Sequence, residues 1–322
     1  MNKIKKIGLT ALAGSLVATS AFAGELTASG SASMSVSNIT DNAVGALAAG
    51  GGDLSTGKDF GMANSVYLAG SGELDNGMTV SMSFELDSGV DTGTGTGPFD
   101  NHYVEVGSDA LGTLRLSGHG GSSAQSAMDT TAAGDIWNNT LGLSGAVAAA
   151  AAGDDSLFYT LPAMMDGVAI TASMSPGRAS QETHTSFGVV YTGVEGLTLK
   201  YGQGDSGAPA AEIDTTTMMA SYAIGSFTLS ASNTDASKTG AADREVTSYQ
   251  IAYTVSDDIS VTYGEETFDL TDDAVDEEVS AFGISYTTGG MTLSANQYKA
   301  EGVTTIAGAE VEKWALSAAF AF

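Results

Sequence analysis

Along most of the chain, large apolar residues alternate one for one with small or polar ones. From Trp314 onward, Trp314, Leu316, Ala318, Phe320 and Phe322 share one parity, while Lys313, Ala315, Ser317, Ala319 and Ala321 share the other. That two-residue period is the signature of a β-strand with one apolar and one small or polar face. Met78, Val80, Met82, Phe84 and Leu86 alternate with Thr79, Ser81, Ser83, Glu85 and Asp87 in the same way. So do Val168, Ile170, Ala172 and Met174, and Tyr249, Ile251, Tyr253 and Val255. Near the amino terminus the polar side is Thr27, Ser29, Ser31, Ser33, Ser35 and Ser37. Strands are expected at 25–38, 62–71, 77–87, 100–107, 111–118, 155–162, 167–175, 183–192, 196–203, 214–224, 226–233, 245–255, 258–268, 277–287, 290–299 and 310–322, sixteen in all.

The connections between these segments alternate strictly. Those after even-numbered strands are short, as in Gly193-Val194-Glu195-Gly196. Those after odd-numbered strands are longer: 39–61, 88–99, 119–154, 176–182, 204–213, 234–244, 269–276 and 300–309. A meander with short turns at one end and long loops at the other is the grammar of a membrane barrel. An apolar strand face ending on a bare aromatic terminus would invite aggregation in water. Closure in lipid removes the edge and gives the apolar face a solvent. The expected fold is therefore all-β: a transmembrane antiparallel 16-stranded barrel with large residues outside and a wet, small-residue interior.

Composition sharpens this picture. The first residues carry Lys3, Lys5 and Lys6, an apolar run from Ile7 to Val17, and Ala21-Phe22-Ala23. This reads as a secretory signal peptide over 1–23, followed by one barrel domain over 24–322. Without the leader, eight basic residues face 38 acidic ones, for a net charge of −30. Such a chain repels nucleic acid and favours cations. Cysteine is absent, which excludes disulfides and thiolate metal sites.

With these features in hand, the chain resembles the general bacterial porins, most closely the alphaproteobacterial branch, over its whole mature length. The resemblance implies a homotrimer in the outer membrane, in contact with lipid and lipopolysaccharide, that passes small hydrophilic solutes without a cofactor or a chemical step. It also implies that the third external loop, here 119–154 and the longest, folds inward, and that the terminal Phe322 is read by the barrel-assembly machinery. In the family, acids on this loop face basic residues on the opposite wall. Asp129 and Asp135 match the acidic side. Glu85, Asp87 and Glu105 read as lumen-facing wall acids, and Arg115, Lys200 and Lys313 are the available bases. Because 115–178 contains five acids between its two arginines and no base, a cation preference is expected.

Two other segments bear on function. Glu265, Glu266, Asp269, Asp272, Asp273, Asp276, Glu277 and Glu278 crowd eight acids into fourteen positions. They lack the spacing of a calcium-binding helix-loop-helix, but Asp269, Asp272, Asp273 and Asp276 could hold Ca²⁺ at an external loop. Gly204-Asp205-Ser206-Gly207 echoes a protease nucleophile segment, yet the three histidines, His102, His119 and His184, stand in no matching context. No enzymatic activity is expected. The competing reading is a plugged barrel that binds a surface partner through its acidic loops; small lumen residues favour the channel.

Overall fold

The computed structural model describes residues 26–41, 57–87, 99–128, 131–134, 136, 149–177, 182–207, 212–240, 242–270, 275–303 and 307–322. Its strands are β1 (Leu26–Asp41), β2 (Gly57–Glu73), β3 (Thr79–Asp87), β4 (His102–Ser108), β5 (Gly112–His119), β6 (Ser156–Thr160), β7 (Val168–Ser175) and β8 (His184–Val194). They continue as β9 (Leu197–Ser206), β10 (Ile213–Ile224), β11 (Phe227–Lys238), β12 (Arg244–Thr254), β13 (Ile259–Leu270), β14 (Glu277–Thr288), β15 (Met291–Glu301) and β16 (Glu310–Ala321). Each pairs antiparallel with its sequence neighbours, and β1 pairs with β16 to close the barrel. All sixteen expected strands are present. The signal segment lies outside the described residues.

Face assignment follows the alternation. Met34, Phe60, Met62, Leu116, Met218, Leu229, Tyr249, Phe282 and Leu316 are all exposed on the outer wall. In water this apolar surface would be costly, at about 25 cal/mol for each Å². In a bilayer it is the favourable surface, and tyrosines such as Tyr222, Tyr253, Tyr263 and Tyr286 add amphipathic rings to it. Phe227 and Tyr253 pack ring to ring across β11 and β12 at 4.6 Å.

Several strands run further than the hydrophobic pattern suggests. β11 continues past residue 233 through Thr234-Asp235-Ala236-Ser237-Lys238, and β2 begins at Gly57 rather than at residue 62. The added residues pair in register, Thr234↔Val246 and Asp235↔Glu245 between β11 and β12, and Lys58↔Asn38 between β2 and β1. In β11 the outer face turns polar at Asp235 and Ser237, and in β2 a lone Phe60 stands among Gly57, Lys58, Asp59 and Gly61, so the period is too weak to read while the backbone ladder continues. The acidic stretch around residues 265–278 is split in the same way. Glu265 and Glu266 occupy opposite faces of β13, and Glu277 and Glu278 opposite faces of β14. Glu266 and Glu277 are buried inside the barrel, so these acids do not form one solvated external loop.

The expectation of a uniformly wet interior also needs correction. Ile39, Val246, Phe268, Val279, Ala300 and Val311 point inward near the long-loop ends of their strands and form a buried apolar cluster. Val303 and Ala309, after β15, cap it, and Ile136 from the long β5–β6 connection inserts into it. The large residue in this set, Phe268, is only 2% exposed. Two connections thus fold down onto the inner wall of β12–β16 and β1, where burial of apolar surface fixes them.

At the seam, the Gly30 N–H donates to the Phe322 carbonyl at 2.7 Å, and the Phe322 N–H donates to the Gly30 carbonyl at 3.0 Å. The Phe322 ring lies over Gly30 so closely that a Cβ there would stand 2.5 Å from a ring carbon. Gly30→Val is therefore expected to push the terminal ring aside and destabilise the seam by about 1–3 kcal/mol. Heating the folded protein in detergent and following its conversion to the slower-migrating form should show this as a lowered transition temperature.

Candidate functional site

The lumen is shaped by the long connection between β5 and β6, whose described residues lie along the inner wall from β7 to β13. Its backbone is carried by hydroxyls pointing in from successive strands. The Ala124 N–H donates to Ser173 Oγ at 2.9 Å and the Gln125 N–H to Ser186 Oγ at 3.3 Å. Further along, the Ala132 N–H donates to Ser232 Oγ at 2.7 Å and the Ala133 N–H to Ser248 Oγ at 2.8 Å. These serines occupy inward positions of β7, β8, β11 and β12, so the alternation that makes the barrel also supplies the rack for the loop.

Gln125 is the anchor. Fully buried, it donates from Nε2 to Thr217 Oγ1 at 2.7 Å and accepts the Ala150 N–H at 2.8 Å, tying the two limbs of the loop together. Close approach depends on a bare backbone beneath it. A Cβ at Gly202 would meet Met128 Cγ at 2.7 Å and Gln125 Cα at 2.9 Å.

With the loop against that side, the open wall is the one built by β2 to β6. Glu85, only 8% exposed, accepts from Tyr67 Oη and from Asn101 Nδ2, each at 2.6 Å. Both donors are neutral, so they hold the carboxylate in place without cancelling its charge. Glu85, Asp87 and Asp100 bring carboxylate oxygens within 4.8 Å of one another. Asp100 had no signal in the sequence, because it precedes β4 and its place is set by the Asp100 N–H to Glu85 carbonyl bond of 2.9 Å.

Arg115 Nε and Nη2 both lie 2.9 Å from Glu105 Oε2, and the guanidinium carbon sits 4.0 Å from the centre of the Tyr103 ring. Lys200 faces inward on β9, one inward position from Gly202 toward the short-turn end. Lys313 faces inward on β16, in the electrostatic neighbourhood of Asp59. The three bases thus stand on separate sectors rather than in one cluster. Asp129 and Asp135 lie outside the described residues.

Of the suggested calcium ligands, Asp269 is exposed on the outer face of β13 and Asp276 is exposed just before β14. Asp272 and Asp273 lie outside the described residues. His184 Nδ1 is 2.6 Å from Asp205 Oδ2, which fastens β8 to β9, and among the described residues Ser206 makes no hydrogen bond to that imidazole. Gly204, Asp205 and Ser206 of the protease-like segment are the last residues of β9.

The model of the Gram-negative porin family matches residues 8–322. The chain belongs to this family. Its fold is similar to that of an anion-selective porin from Comamonas acidovorans, with a TM-score of 0.68 and 15% identity over 93% of this chain and 100% of that one. It is also similar to a refined porin structure (TM-score 0.66, 17% identity, 92% and 100% coverage). A third match is the trimer form of OmpT, an outer-membrane protein of Vibrio cholerae (TM-score 0.67, 14% identity, 93% and 100% coverage). No curated protein sequence matches the chain. It is an outer-membrane porin, and its lumen is the channel.

Gln125→Ala in this porin removes the acceptor of the Ala150 N–H and the donor to Thr217. The expected cost is about 1–3 kcal/mol for the buried groups left unpaired. Amide hydrogen exchange at Ala150 should accelerate while exchange in the β10–β16 ladder is unchanged.

Proposed function

We propose that this porin is a passive, water-filled diffusion channel for small hydrophilic solutes and ions, that it prefers cations, and that it works as a homotrimer after removal of residues 1–23. The observation that carries the charge preference is the carboxylate trio Glu85, Asp87 and Asp100 on the open wall. Of the wall bases, Arg115 is matched by Glu105 and Lys313 stands near Asp59. A permeant cation about 6 Å from one carboxylate gains roughly 0.7 kcal/mol even at the dielectric of water. Two such carboxylates favour cations several-fold, and screening over about 10 Å at 0.1 M salt weakens the effect as ionic strength rises. Asp129 and Asp135, on the inward connection, would add to the same field. The trimer reading draws on the trimer form of OmpT and on the highly exposed apolar side chains of Phe60 and Met62 on the outer face of β2. Phe322 is the residue proposed to be read during assembly.

Reversal potential across a KCl gradient in a planar bilayer tests the preference. The parent is expected to be cation-selective. Glu85→Gln with Asp87→Asn should reduce the permeability ratio several-fold, more so than Asp129→Asn with Asp135→Asn if the wall is the filter. An anion-selective parent would reject the charge argument.

A further inference from the structure

The inner face of β4, β5 and β6 carries a second feature that an unselective channel does not require. Register places Glu105, Arg115 and Phe158 side by side in one row across the three strands, with Tyr103 and Ser117 in the row above. They line a recess of about 410 Å³, open to the lumen, with Ala127 of the inward loop on its far side. Arg115 is held twice, by Glu105 through its Nε–Nη2 edge and by the Tyr103 face. Even so, the side chains of Arg115 and Glu105 remain 41% and 25% exposed. Among the described residues, Arg115 Nη1 and Glu105 Oε1 have no partner, so one donor edge and one acceptor atom remain for a solute.

A fixed opposite pair 2.9 Å apart has no net charge. A simple ion gains little from it, because attraction to one member is offset by repulsion from the other. A solute that carries its own carboxylate and ammonium a few bonds apart gains from both members at once. Its carboxylate meets the open guanidinium edge, as a charge-assisted hydrogen bond requires, and its ammonium meets Glu105 Oε1. Phe158, beside the pair, offers an apolar surface to a side chain. Because the pair is already ordered, little conformational entropy is lost on binding.

We propose that this recess is a binding site for zwitterionic α-amino acids with apolar side chains, so that the channel favours these over sugars of similar size. The proposal rests on the channel reading above. It deepens that reading by naming a substrate class.

The test is the open-channel current of the purified protein in a planar bilayer, titrated with L-leucine, leucine methyl ester, isocaproate and arabinose. Leucine is expected to reduce the current saturably. The ester, which lacks the carboxylate, and isocaproate, which lacks the ammonium, should bind about tenfold more weakly, the loss of one hydrogen bond to a charged group. Arabinose should give no saturable effect. Arg115→Gln should abolish the discrimination between leucine and its methyl ester, and Glu105→Gln that between leucine and isocaproate, while the analogue series in the parent protein stands even if a variant fails to assemble. Normal KCl conductance with no saturable leucine effect, or equal effects of leucine and arabinose, overturns the site and leaves the channel reading intact. Absence of any conductance takes down both.

Discussion

A peptide group in hydrocarbon has no water to bond with, and each one left unpaired costs several kcal/mol. A sheet can meet this constraint only by closing on itself, and here closure falls at the pairing of β1 with β16. The last residue takes part directly, exchanging backbone bonds with Gly30 while its ring covers the glycine. The rest follows from that ladder. Strand tilt and twist set the barrel, the two-residue period sorts apolar residues outward, and the positions left over become the lumen.

Those leftover positions do more than tolerate water. Serines on β7 to β12 hold the backbone of the inward connection, Thr217 holds its Gln125 side chain, and glycines on β8 and β9 let it approach. The polar alternation needed for a wet interior thus also satisfies a loop that would otherwise carry unpaired amides. Where the connection reaches β12 to β14 the wall changes to Val246, Phe268 and Val279, and Ile136 is fixed by burial instead. Hydrogen bonds set its course along one wall, and an apolar contact fixes its far end.

The strands were legible in the sequence because lipid and lumen impose opposite demands on alternate residues. Met82 and Ser83, or Ile251 and Gln250, could hardly be read otherwise. Legibility ended where that contrast ended. Above the apolar band, Asp235 and Ser237 put polar residues on the outer face of β11, so the contrast with the lumen is lost and only the ladder defines the strand there. The inner cluster was hidden for a related reason: Val246 and Phe268 are each a single large apolar residue on a parity where small or polar ones surround it. At the site, alternation placed Glu85, Asp87, Glu105 and Arg115 on the inner face. Contacts made across distant segments were out of reach. Asp100 joins Glu85 through a loop backbone bond, and the stacking of Arg115 on Tyr103 depends on the register of β4 against β5.

The apolar cluster inside the barrel divides the labour of its circumference. Along β12 to β16 the upper inner wall is committed to packing, so substitutions there register as changes in folding. The wall from β2 to β6 makes few contacts with the inward loop, so its side chains can change without loosening the barrel. A lineage exploring new solutes could therefore vary Tyr67, Glu85, Tyr103 or Phe158 while the packed side keeps the fold intact, and its selectivity could drift far faster than its architecture.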